Sequence, residues 1–129
     1  MARTKRARTI LVVEDDPATA DLITEVLADK GYEPVLAREG GEALRLIRER
    51  HPSAITLDLA LPGLDGRSFL MGLRSDDSTK RTPVIVVSAN SETLNAFERR
   101  AVSRVLPKPF DVGELAAAVD GVAAPAGPG

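Results

Sequence analysis

At 129 residues the chain has room for one domain with a single core, and its 43% apolar and 28% charged residues are ordinary for a soluble globular protein. There is no cysteine, which excludes disulfides, thiolate chemistry and cysteine-held metals. The formal net charge is −2, but Arg3, Lys5, Arg6 and Arg8 crowd basic charge into the first eight residues, so the body is clearly acidic. That acidic body, with aromatics at only 3%, argues against direct nucleic-acid binding by the domain. No run approaches the ~18 apolar residues of a membrane span, and no signal-peptide pattern follows the basic start, so a cytoplasmic protein without membrane contact is expected.

Residues 1–8 read as a basic tail, 9–122 as the folded domain, and the Ala/Pro/Gly stretch 123–129 as a flexible tail or linker stub. Within the domain, β-branched residues 9–13 form a first strand that ends at Glu14-Asp15-Asp16. Asp16 before Pro17 is a helix cap with proline at the first helical position. Leu22, Ile23, Val26 and Leu27 then repeat at helical spacing up to Gly31. Residues 33–36 make a short second strand, and Gly40-Gly41 opens a second helix. His51, before Pro52, reads as a surface loop residue rather than a catalytic one.

A third strand spans 54–58 and runs into the turn cluster Pro62-Gly63-Leu64-Asp65-Gly66, followed by a helix with the stripe Phe69, Leu70, Leu73. Residues 84–88 are the clearest strand, and a single helix is expected over 92–100. A fifth strand over 102–106, interrupted by Ser103 and Arg104, suits a sheet edge. Pro107-Lys108-Pro109 breaks it, and Asp111 caps a last helix with Leu115, Val119 and Val122. Five strands alternating with five helices predict an α/β fold: a doubly wound parallel sheet covered on both faces.

In such a fold the ligand site lies outside the carboxyl ends of the strands. Glu14 and Asp15 end the first strand, Asp58 the third, Ser88 the fourth, and Lys108 follows the fifth. Three carboxylates on one edge repel each other unless a cation joins them. Oxygen-only donors suit a hard divalent ion such as Mg²⁺. One carboxylate can then serve as nucleophile for a phosphoryl group, needing no general base. Lys108 would neutralise the phosphoryl oxygens and the Ser88 hydroxyl would donate to one. Singly, each residue is read as easily as a cap or a solvated loop group. The joint placement at strand ends favours a site.

These residues resemble the receiver domain of two-component response regulators. The resemblance covers residues 9–122 and rests on Glu14-Asp15-Asp16, the segment from Leu57-Asp58 through Pro62-Gly63 to Asp65-Gly66, the strand ending Ser88-Ala89, and Lys108-Pro109-Phe110. It implies a flavodoxin-like sheet of order 2-1-3-4-5, in which Asp58 is the phosphoacceptor, Ser88 the switch hydroxyl and Lys108 the phosphate-contacting lysine. Mg²⁺ would be held by Glu14, Asp15, Asp58 and the backbone carbonyl of Ala60. The implied partners are a sensor histidine kinase or phosphotransfer protein and a downstream target on the face of the fourth helix, fifth strand and fifth helix. The Lys108-Pro109 bond is expected to be cis. One residue departs from the pattern: the family's switch aromatic is here Val105. Arg99, Arg100 and Arg104 near that face read either as a partner surface or as a solvated one.

Two other classes remain to weigh against the switch. A phosphatase working through an aspartyl phosphate would place a second Asp where Ala60 stands. A receiver-like interaction module that is never phosphorylated would not need the acid, hydroxyl and lysine set. A flavin-binding fold is disfavoured because Glu14-Asp15-Asp16 would repel its phosphate.

Overall fold

The structure, a computed structural model, describes residues 8–63 and 65–123. Most of the basic arm, Leu64 and residues 124–129 of the expected tail therefore lie outside the described residues. Along the chain β1 (Thr9–Val13), α1 (Pro17–Asp29), β2 (Glu33–Ala37), α2 (Gly40–Arg50), β3 (Ala54–Leu57), α3 (Gly66–Ser75), β4 (Val84–Ser88), α4 (Ala96–Arg100), β5 (Arg104–Pro107) and α5 (Val112–Val122) alternate as expected. All four strand pairings are parallel, in the order β2-β1-β3-β4-β5.

Period-two alternation sends successive side chains of each central strand to opposite faces. Leu11, Val13, Ile55, Leu57, Val84 and Val86 meet Ala43 and Ile47 of α2 and Phe69, Leu70 and Leu73 of α3. Ile10, Val12, Ala54, Ile85 and Val87 meet Ile23 and Leu27 of α1 and Leu115, Ala118 and Val119 of α5. Burial on both sides explains why these strands read as continuous apolar runs. Aspartates start three of the helices: Asp16, Asp65 and Asp111 each accept from backbone N–H groups of the following turn.

The structure corrects the bounds of four elements, the mildest being β2, which runs one residue further than expected, through Ala37. The helix expected over 92–100 is divided into a 3-10 turn, Ser91–Thr93, and the short α4. Leu94 between them is extended and buried in the core, which drags the chain inward, and Asn95 then starts a new helix by a capping box with Glu98. β5 begins at Arg104 rather than 102 and runs on through Pro107. It is the edge strand, as expected, and there a proline's missing donor deprives no neighbouring strand. β3 ends at Leu57, which leaves Asp58 just past the strand.

Candidate functional site at the strand ends

Backbone bonds continuing the sheet's ladders fix Glu14, Asp58, Ser88 and Lys108 among the expected site residues. Glu14 N–H donates to Ala37 O at 3.0 Å, Asp58 N–H to Val13 O at 3.0 Å, and Lys108 N–H to Ser88 O at 3.2 Å. Glu14, Asp15 and Asp58 each present a carboxylate oxygen within 4.8 Å of the others. Glu14 is 1% exposed and Asp58 6%, whereas Asp15 faces solvent. Asp16 is not in this group: its carboxylate caps α1 through Thr19, and those bonds lower its pKa. His51 lies at the other end of the sheet, exposed and left-handed (φ 47°) as the cap of α2.

A single ammonium joins the two buried acids. Lys108 Nζ lies 2.9 Å from Glu14 Oε1 and 3.2 Å from Asp58 Oδ2. The contact with Glu14 Oε1 is an ion pair, and among the described residues Oε1 has no other polar partner. Burial raises the Glu14 pKa, with the neighbouring Asp58 charge adding to it and Lys108 and the Asp16 N–H opposing. Burial pulls Lys108 downward, but the contact with Glu14 and the charges of Asp58 and Glu14 outweigh it and leave the pKa raised. One cation for three acids leaves a deficit of positive charge that a divalent ion would fill, and the all-oxygen donor set fits a hard one. The Lys108-Pro109 bond is cis, as expected.

Around this centre Asp58 Oδ1 accepts from Ala60 N–H at 3.2 Å, and the fully buried Ser88 accepts at Oγ from Asn90 N–H, also at 3.2 Å. Val105 is half-buried against the α2/α3 side of the core, paired in register with Val86.

Three residues here escape sequence reasoning. Gly66 N–H donates to Leu59 O at 3.0 Å, and a Cβ on Gly66 would come within 2.6 Å of Leu59 Cα and 2.8 Å of Asp58 O. α3 thus starts in direct contact with the Asp58–Leu59 backbone, for which only glycine is small enough. Arg67 and Asn90 line an open cleft of about 380 Å³ with Leu59, Ala60, Asp65 and Thr93. An Asp-Gly after a Pro-Gly turn hints at a tight approach, but nothing in the spacing points to Arg67.

An open α/β sheet with a basic side chain bridging acids at its carboxyl edge has its charged site where the ligands of this class of fold bind. The profile described as "Response regulator receiver domain" matches residues 10–120. The chain belongs to the response regulator receiver family of two-component systems. It is 37% identical over 113 residues to the DNA-binding response regulator MtrA of Mycolicibacterium smegmatis, covering 85% of this chain and 48% of that protein. To the phosphate regulon transcriptional regulatory protein PhoB of Escherichia coli it is 32% identical over 118 residues, covering 90% and 52%. The chain therefore spans about half the length of these curated relatives. Among solved structures it resembles the receiver domain of sensor histidine kinase PA1611 from Pseudomonas aeruginosa, with a magnesium ion coordinated in its active-site cleft (TM-score 0.83, 30% identity, 93% of this chain and 100% of that one). It also resembles a sensor protein from Polaromonas sp. JS666 (TM-score 0.84, 34% identity, 90% and 95% coverage). Among the described residues no helix is long and apolar enough to cross a membrane.

Proposed function

We propose that residues 9–122 form a cytoplasmic phosphoacceptor switch, in which Asp58 takes a phosphoryl group from a phosphohistidine on a sensor kinase or phosphotransfer protein. The observation that carries this reading is the pair of buried acids, Asp58 and Glu14, held by one ammonium at the sheet's carboxyl edge. An Asp58 carboxylate oxygen attacks phosphorus, the phosphorus–nitrogen bond breaks, and the imidazole leaves with its electron pair. Lys108 moves with the charge, from pairing the carboxylate to pairing a phosphoryl oxygen, and the Ser88 hydroxyl donates to another. Glu14, Asp15, Asp58 and the Ala60 carbonyl would hold Mg²⁺, which when bound supplies charge neutralisation to the transferring group.

The domain modifies itself rather than turning over a separate substrate. The acid/base position of an aspartyl-phosphate phosphatase is occupied by Ala60, which disfavours that enzyme. The downstream partner would dock on α4, β5 and α5, where Phe97 and Val112 are exposed beside Arg99, Arg100 and Arg104. Val105 removes the swinging aromatic from that face, so the hydroxyl and the loop after β4 must convey the change.

Incubation with acetyl phosphate, or with beryllofluoride, in the presence of Mg²⁺ is expected to yield one adduct at Asp58 by intact mass and fluorine NMR. Asp58→Asn is expected to abolish it. A wild-type protein that forms no Mg²⁺-dependent adduct would be an interaction module instead, and the switch reading would be wrong.

A further inference from the structure

We propose that Arg67 is a latch that holds the segment after β4 in the unmodified protein and transfers to the phosphoryl group once Asp58 carries one. The proposal rests on the phosphoacceptor reading above. Arg67 itself is not among the residues that perform that chemistry.

Arg67, the second residue of α3, reaches across to the 3-10 turn and α4. Its Nη2 donates to Thr93 Oγ1, and its Nε lies 3.6 Å from Glu98 Oε2. That distance makes an ion pair without a hydrogen bond, and among the described residues the buried Nε has no hydrogen-bond acceptor. Glu98 is only 13% exposed and is already committed through Oε1, which accepts the Asn95 N–H that closes the α4 capping box. One guanidinium therefore grips both pieces of the segment. The segment needs the grip, since α4 has five residues and none of them is buried.

The same guanidinium lines a cleft whose walls include residues close in sequence to the acceptor and the switch hydroxyl: Leu59 and Ala60 after Asp58, and Asn90 two positions after Ser88. Asp58 Oδ2 is taken up by Lys108, whereas Oδ1 faces the Ala60 N–H on the cleft side. A group added at Oδ1 emerges beside that cleft. The other acid on the cleft wall, Asp65, is engaged as the cap of α3. A phosphoryl group brings added negative charge and several acceptor oxygens to a guanidinium with an idle donor, and a paired guanidinium–phosphate contact is stronger than a stretched ion pair. On transfer, Thr93 and Glu98 lose their anchor and the segment loosens. This supplies a route to α4 that does not require the aromatic missing at Val105.

Competition between two anchors gives a signature that an ordinary ion pair lacks. Glu98→Gln keeps the capping box, because a glutamine oxygen still accepts from Asn95, but it frees Arg67. It is expected to tighten Mg²⁺-dependent beryllofluoride binding, read by fluorine NMR, by about two- to fivefold, the range an ion pair at a partly exposed site supports. Arg67→Gln is expected to weaken that binding by a similar factor. Amide hydrogen exchange over residues 91–100 should rise when the wild type binds beryllofluoride, and should already be high in the free Glu98→Gln protein. Shifts of the same sign in both variants, or none in either, overturn the latch and leave the phosphoacceptor intact. A wild type that binds no beryllofluoride removes both.

Discussion

Thr56 and Asp15 carry polar groups that the fold treats in opposite ways. Thr56 sits in β3 in register with Val12 and Ile85, both apolar, and among the described residues its buried hydroxyl has no hydrogen-bond partner. An unmatched buried hydroxyl costs about 1–3 kcal/mol, so Thr56→Val is expected to raise unfolding free energy by about 1 kcal/mol in urea titrations. Asp15 instead adds an exposed third carboxylate to two buried ones. Removing its charge relieves repulsion in the metal-free protein but takes away a ligand. Asp15→Asn is therefore expected to raise the melting temperature without Mg²⁺ and to abolish the further rise that Mg²⁺ produces in the wild type. A variant that keeps the Mg²⁺-induced rise would remove Asp15 from the proposed metal site.

At the scale of elements, position is set by close backbone approach as much as by apolar faces. The start of α3 lies against the Asp58–Leu59 backbone because Gly66 has no side chain. Gly66→Ala must push α3 away or move the Asp58–Leu59 backbone, since the clash is with backbone rather than a flexible side chain. A loss of about 2 kcal/mol or more is expected, together with weaker beryllofluoride binding. Unchanged binding in a folded Gly66→Ala protein would show that α3 moves and the acceptor does not. Arg74 fixes other elements from within the fold, donating to Ala101 O and Thr82 O at 2.9 Å and to Lys80 O at 3.1 Å. It ties the loop before β4 to the turn before β5. In the sequence it is one arginine among many on a helix, since its partners are carbonyls brought near only by folding.

Across the whole molecule, the first strand-and-helix pair is joined to the last helix by a polar cluster. Tyr32, just before β2, donates its hydroxyl to Asp120 of α5, which also pairs with Lys30 at 3.1 Å. Burial, then the bond to Asp120, pushes the Tyr32 pKa up from 10.0 to about 12. A raised pKa means that the protonated form is favoured in the fold, so its stabilisation is complete below the ordinary value and is lost as pH rises towards 12. The raised pKa of Lys108 acts with the same sign. Stability is expected to fall between pH 10 and about 12, and Tyr32→Phe to flatten that fall, as measured by urea midpoints across the range. A fall of the same size in Tyr32→Phe would assign it to other groups.

By itself the sequence determined the parallel α/β sheet and the identity of the acids, the hydroxyl and the lysine at its carboxyl edge, because strand periodicity and cap residues act locally. Asp16 and Asp111 were legible as caps for the same reason. Tertiary structure decided what depends on contacts between distant segments. It placed Lys108 against both Glu14 and Asp58, split the fourth helix by burying Leu94, and brought Gly66 onto the Asp58–Leu59 backbone. It also joined Arg67 to Glu98 across α3 and α4. A charge pair between residues thirty or fifty positions apart leaves no period or cap in the chain, so only the packed fold reveals it.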